Sequence, residues 1–550
     1  MSARRLSVLM PTEGTYPYDG GGVSTWCDTL CKELGEVDFH IFAVTGSPNV
    51  KLRYQLPPNV RAVTLIPLWG SSEPTDLIRP DLGLAGLSRA KRATTDEVVE
   101  AHFLPLFRGL LRYVLHPNDP LDGAATTVHR LYRYFLRYDY KLSFQSAAAW
   151  REFTRQVLDF YETAGSAAGE PPSVFDLTTA MRWLFNFLLP LAVPVPRTDI
   201  AHATIAGFSS LSCVIAKEEH GAPMVVTDHG IFARERYIAI SAADFTPFAK
   251  RFLLNLSMFV TRLCYAHADQ ISPVADFNRR WEVRLGADPD RILTIHNGIE
   301  PGLFVPGLKP EKTRGRPTVV AAARIFPLKD IETMIRSCEV ARRRIPDVHY
   351  LVYGSLDADP PYARKCQNLV DVLGLGGSFE LAGFHSKPTE LFNEGDLSVL
   401  SSISEGFPFT VIESMACARP VVATDVGCVK EALQGCGILV KPRDAEALGA
   451  GVAELLGDPE LRQHLGRLSR ERVLLRFRTV SSVEAYRESY RRLLAERRDA
   501  VASRTERRDD APHRPARGRP APATTPLISE PRPRRHQDAA YDAGRSAAAR

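Results

Sequence analysis

The sequence lacks most features that would place it in a specialised class. Its nine Cys form no C-x-x-C pair, and Cys27 and Cys31, four apart on an expected helix, have no His ligand nearby. That disfavours a disulfide framework and a zinc site, and all nine read as reduced thiols. No apolar run is long enough to span a bilayer: the most apolar stretch, Trp183–Val195, is short and broken by Pro190 and Pro194. The N-terminal MSARRLSVLMPTEG has two Arg but too short an apolar run for a signal peptide. Excess charge is missing from the body. The last fifty residues hold eleven Arg against six acidic residues, which accounts for the whole net charge of +5. A neutral body gives no support for a nucleic-acid-binding surface. No G-x-G-x-x-G follows the first strand, and the second ends in Ala43-Val44-Thr45-Gly46 without an acid. A dinucleotide-dependent oxidoreductase is disfavoured on both counts.

What is present is an ordinary globular balance, 45% hydrophobic and 24% charged over 550 residues, enough for two or more domains. Leu6–Met10 reads as a buried strand broken at Pro11, Val23–Leu34 as a helix, and Val37–Gly46 and Val60–Leu68 as further strands. From about 70 to 198 strands become scarce and amphipathic helices dominate, a helical insertion in the first domain. Strand signals return at Asp199–Ile205, Pro223–Gly230, Ala268–Val274 and Ile292–Ile299. After the Pro/Gly/Lys stretch Pro301–Pro317 the rhythm restarts, with strands expected at Thr318–Arg324, Val348–Ser355, Phe379–Phe384, Leu397–Ser402, Pro420–Asp425 and Gly437–Val440. The expected organisation is a Rossmann-like domain over 1–300 with its insertion, a second over 301–480, a helix over 481–499, and a disordered Pro/Ala/Arg-rich tail over 500–550. A ligand belongs in the cleft where strand C-termini face each other.

Three groups of residues carry chemistry. Gly20–Gly22 sit between the first strand and a helix N-terminus, where free amides and the helix dipole attract an anion. Glu405 and Glu413, with seven residues between them, flank a turn after a strand. Paired carboxylates accept hydroxyl hydrogen bonds and suit a sugar or ribose. The plain alternative is a surface glutamate and a glutamate favoured by a helix dipole. Arg324 and Lys329, five apart, straddle a strand end and a helix start, where two cations can neutralise a diphosphate. Solvated surface charge is the alternative there. No D-x-D lies in a convincing loop; Asp357-Ala358-Asp359 follows a strand of the second domain and reads as a polar turn.

Ser401–Gly427 (SSISEGFPFTVIESMACARPVVATDVG) resembles the nucleotide-sugar signature of family 4 retaining glycosyltransferases. ARIFPLKDIETMI is similar to that family's G-R-L-x-x-x-K-G element, and TIHNGIEPGLFVP to its interdomain segment, where Asn297 reads as structural. PTEGTYPYDGGGVSTW and TDHGIFARER resemble the PelF kind, which helps build an extracellular bacterial polysaccharide. The resemblance covers roughly residues 5–495. It implies a GT-B fold and a nucleotide-diphosphate-sugar donor, most often a UDP-sugar, with no metal and no cofactor. Carried over position by position, it implies that Arg324 and Lys329 hold the diphosphate and that Gly22, with Gly21 permitting close approach, reaches the phosphate nearest the sugar. Glu413 would accept from the ribose, Glu405 with the amides of Gly406 and Phe407 would bind the transferred sugar, and the base would lie near Gly383–Phe384. His229 would lie over the donor sugar. Asp19 departs from the family's pattern by setting a carboxylate beside the phosphate loop, so Asp19, Glu13 and Arg234 are assigned to the acceptor side.

The resulting expectation is a hexosyl transfer to a glycan acceptor with retained configuration, by front-face attack in which the leaving phosphate takes the acceptor proton. Alternatives are a hydrolase or epimerase of nucleotide sugars on the same fold, or a non-catalytic sugar-nucleotide-binding subunit. The expected setting is the cytoplasm, with access to the inner face of a membrane through a polysaccharide-export partner and with no nucleic-acid partner.

Overall fold

The computed structural model describes residues 4–509, apart from Ser72, Pro80, 166–168, Ser386 and Pro388. The expected disordered tail, from residue 510 on, lies outside the described residues. The described chain up to Arg498 forms one compact unit.

The first half carries β1 (Leu6–Glu13), β2 (Val37–Thr45), β3 (Val60–Pro67), β4 (Ile200–Ala203), β5 (Met224–Asp228) and β6 (Gln270–Pro273). They form one sheet in the order β3-β2-β1-β4-β5-β6, parallel throughout. The second half carries β7 (Thr318–Ala322), β8 (His349–Tyr353), β9 (Phe379–Gly383), β10 (Leu397–Leu400), β11 (Val421–Thr424) and β12 (Ile438–Val440). Their order is β12-β11-β10-β7-β8-β9, again all parallel. In each sheet the order reverses beside the first strand, which opens a crevice at the carboxyl ends of the strands.

Two sequence expectations change. β1 does not break at Pro11 but runs through it to Glu13, with Pro11 in register against Phe42. Proline removes only a donor, and its carbonyl accepts from the Thr204 hydroxyl at 3.0 Å. No strand forms over Ile292–Ile299, where Ile292 and Ile299 make only isolated bridges to Ile271 and Arg478. The apolar residues there serve a connection between domains rather than a sheet.

The described residues between β3 and β4 hold helices and no strand. Their aromatic side chains, among them Phe103, Phe107, Phe135 and Phe144, are continuous with the core of the first sheet. The insertion is therefore fused to that domain. The last helix runs Thr479–Asp509, longer than the expected 481–499. Its Val483, Tyr486, Tyr490 and Leu493 pack into the core of the first half beside Val8, Trp26 and Leu30. His202 on β4 bonds Tyr490 at 2.6 Å and Thr227 at 2.8 Å. The chain thus crosses to the second domain and back, and the two crossings lie side by side. The Ile299 amide donates to Phe477, and the Thr479 amide donates to Ile299.

All nine cysteines are buried and free. Among the described residues no helix is long and apolar enough to cross a membrane.

Candidate functional site

The candidate site is assembled from loops that leave the carboxyl ends of β1, β5, β7 and β10. After β1 the chain turns through Gly20–Gly22 into the helix Gly22–Glu33. Gly21 is its N-cap, with φ 130° and no side-chain cap. Only glycine holds that backbone without strain, and the first amides of the helix are left without a capping side chain. The resulting donors and dipole form an anion site. Gly20 lies against the Arg53 guanidinium, 2.8 Å from where its Cβ would stand. Arg53 sits in the loop between β2 and β3, and nothing local in the sequence marks it. Asp19 is exposed, and its amide donates to Thr15 within the turn.

β5 ends at Asp228 and delivers His229. Asp228 is buried and accepts the Tyr265 hydroxyl at 2.5 Å and the Ala206 amide at 3.3 Å. Burial pushes its carboxyl up. Its bonds hold the backbone that presents His229. The His229 ring meets Trp26 edge-on, with centroids 4.9 Å apart. Its Nε2 has no hydrogen-bond partner among the described residues. Burial pushes the imidazole down to about 3, so it is neutral near pH 7 and works as a hydrogen-bonding group rather than a cation. Glu13, at the end of β1, accepts the Ser209 amide at 3.0 Å, and burial pushes its carboxyl up. That bond to protein backbone makes Glu13 a support for the segment after β4.

In the second domain, Arg324 follows β7, exposed, with its guanidinium over the Phe326 ring at 5.0 Å. Lys329 ends a short 3-10 turn, Pro327–Lys329. Asp330, where the family pattern has glycine, holds φ 47° and caps the next helix by accepting from the Thr333 amide. Asp is among the few residues that tolerate that conformation. The loop after β10 is tied to this turn. The Ile403 amide donates to Leu328, and the Ser401 hydroxyl donates to Lys329 O at 2.7 Å. Lys329 Nζ pairs with Glu405 Oε1 at 2.5 Å, and the Ser402 hydroxyl donates to the same oxygen. Glu413 lies in the second turn of the helix Phe409–Ala416, and burial pushes its carboxyl up to about 7.

The two halves meet at this loop. A Cβ on Gly406 would run into the His229 carbonyl, so only glycine allows the approach. Arg234 donates to the Ser404 hydroxyl at 3.0 Å. Phe409 lies 3.1 Å from where a Cβ on Gly22 would stand. The structure therefore brings together Gly22, His229, Arg234, Lys329, Glu405 and Gly406. Ser402 and Ser404 belong to this set and were missed, although both lie in the quoted SISEG stretch. Arg234, expected on the acceptor side, spends one of its donors on Ser404.

Other assignments change in kind. Phe407 is only 6% exposed and packs its ring on Phe477 at 5.3 Å, so its side chain is core and only its amide is available to a ligand. Phe384 follows β9 and is 81% exposed, an apolar ring at the cleft edge of the second sheet. Asp359 caps the helix Pro360–Val372 by accepting the Tyr362 amide, as a polar turn residue does. Asp276, His296 and Glu431 could bring three ligand atoms to a metal. Their bonds are already spent across the domain junction: Glu431 accepts from the Asp276 and Phe277 amides and lies 2.6 Å from His296.

Two parallel six-stranded sheets, with anion-binding amides on one side of a cleft and a Lys–Glu pair on the other, define a protein of the GT-B class. The chain belongs to the family described as "Domain of unknown function (DUF3492)", matched over residues 6–290, and residues 309–472 match "Glycosyl transferases group 1". It is 29% identical over 255 residues to an exopolysaccharide phosphotransferase of Streptomyces coelicolor, covering 46% of this chain and 26% of that protein. The chain thus spans about a quarter of that relative's length. Sucrose-phosphate synthase of Thermosynechococcus elongatus shares the fold at TM-score 0.53 and 17% identity, over 90% of this chain and 100% of that one. Anabaena Alr3699/HepE, solved with UDP-glucose, does so at TM-score 0.52 and 13% identity, over 88% and 99%.

Proposed function

We propose that the protein moves a hexosyl unit from a UDP-sugar to a glycan acceptor with retained configuration, in the synthesis of an extracellular polysaccharide. The observation that carries the reading is the Lys329–Glu405 pair meeting the His229 loop across the closed cleft. Lys329 and Arg324 are the cations a diphosphate leaving group needs, and they do this work without a metal. The amides at Gly22 face the same charge from the first domain. Glu405, once its lysine turns to phosphate, accepts from the sugar hydroxyls, and the free Nε2 of His229 bonds another. Glu413 holds the ribose. Solved relatives of the fold bind UDP and UDP-glucose, and a sequence relative is named for exopolysaccharide work. The setting that fits is the cytoplasm, at the inner face of a membrane through an export partner.

Calorimetry with UDP-glucose, UDP-galactose and their N-acetyl forms tests this. Binding by one of them, abolished in Glu413→Ala, is expected; no response to any of the four overturns the reading. Product analysis then separates transfer from hydrolysis or epimerisation, because a transferase yields a glycoside and the others yield free sugar or an epimer.

A further inference from the structure

The helical insertion and the segment after β3 form an open cavity of about 500 Å³ that the donor site does not use. It opens beside Trp69, two residues past the end of β3, and its walls come from the helices Tyr140–Gln145 and Val174–Phe187. In a parallel sheet all carboxyl ends share one edge, so this mouth is on the same edge as the glycine loop after β1. Only β2 lies between β3 and β1, which sets the two strands about 10 Å apart.

The lining has a specific chemistry. Trp69, Phe144, Met181 and Phe185 supply apolar and aromatic surface. The Arg182 guanidinium lies 6.0 Å from the Trp69 ring and has no carboxylate partner among the described residues. Asn186 is buried, yet its side-chain amide has no hydrogen-bond partner among the described residues. The exposed Gln145 amide is likewise unpaired among them. Lys141 on the rim is already held by Glu73 at 2.6 Å. Both amides line the cavity and are open to hydrogen bonds from a ligand there. An indole face beside two amides and a guanidinium matches a pyranose, whose ring carbons are apolar on one side and whose hydroxyls radiate in the plane.

We propose that this cavity binds a pyranosyl unit of the glycan acceptor, with Trp69 as its stacking platform and Arg182, Asn186 and Gln145 as its hydroxyl partners. The insertion would then extend the first domain's cleft edge into an acceptor site. The proposal rests on the glycan-acceptor reading above, and its test keeps the two apart.

Saturation-transfer NMR and calorimetry on the full chain use cellotetraose, maltotetraose and chitotetraose as acceptor probes and UDP as donor probe. At least one tetrasaccharide is expected to bind. Arg182→Gln and Gln145→Ala, both at exposed positions, should each weaken it about tenfold with unchanged Tm and UDP affinity. Trp69→Phe, which keeps a ring, should lose less than Trp69→Ala. The proposal is overturned if none of the three binds, or if binding is indifferent to Arg182→Gln and Gln145→Ala. Tetrasaccharide binding that depends on Arg182, in a protein that ignores UDP, supports the cavity and overturns the donor reading alone.

Discussion

At the scale of residues, the cleft places each charge where a companion limits its cost. Lys329 and Glu405 neutralise each other in the ligand-free protein, so a diphosphate takes over a lysine already poised. Lys329→Ala should lower kcat by about 10²- to 10³-fold while the circular dichroism of the fold stays that of the wild type. Near-normal turnover would remove Lys329 from the site. Glu413 carries a cost of another kind. Burial raises its carboxyl in the folded chain to about 7 from an ordinary 4.5. The folded state therefore binds the proton more tightly than the unfolded one, and stability falls as pH rises from 4.5 to 7. Glu413→Gln should raise Tm at pH 8, and the gain should vanish near pH 4.5. The same variant should bind UDP more weakly, because an amide is a poorer acceptor for ribose hydroxyls than a carboxylate. A Tm difference that does not depend on pH would contradict the burial of that charge. Both glutamates were legible in the sequence because their spacing sits inside a recognisable stretch. Arg53 was not, since its approach to Gly20 depends on how a distant loop folds over.

At the scale of elements, the strands after β1 that do form were found with their centres right and their ends too long. Thr318–Arg324, for example, is a strand only to Ala322. Past it the Ala323 amide still donates to Tyr353, and Ile325 is buried in the core of the second sheet. The segment Ile292–Ile299 looked like a strand for a related reason: it is buried between domains, and burial rather than pairing set its composition. The Phe407 ring is core while its amide stays available, a division that a motif naming only the position does not show. The helix Val429–Leu433 makes the other main tie between the halves through Glu431. Burial raises the carboxyl of Glu431, but His296 and the amides of Asp276 and Phe277 more than offset this, leaving it below its ordinary value. A carboxylate lowered in the fold stabilises above its unfolded pKa and stops doing so as pH falls through the folded one. Glu431→Ala should therefore lower Tm at pH 7, and the deficit should shrink as pH falls below the ordinary glutamate range. Equal Tm values at pH 7 would show that the tie contributes nothing.

At the scale of the whole molecule, the last helix belongs structurally to the first domain. Val483, Tyr486, Tyr490 and Leu493 are all buried. At about 1.5–3 kcal/mol each, their burial is worth roughly 6–12 kcal/mol, comparable with the entire stability of a domain, about 5–15 kcal/mol. A chain ending at Arg478 should lose cooperative unfolding; a sharp transition at the wild-type Tm would disprove the helix's role. Sequence alone showed this helix as amphipathic but could not show which domain its apolar face joins, because the contact spans the whole chain. The pairing has a consequence for how such genes diverge. The stretch matched by the family, residues 6–290, lacks part of its own core, since Val483, Tyr486, Tyr490 and Leu493 supply side chains to it from beyond that stretch. A recombination that swapped this half for another's would set a foreign surface against Tyr486 and Tyr490. Residues 6–290 and 483–493 are thus expected to vary together, and viable hybrids should be those that exchange both.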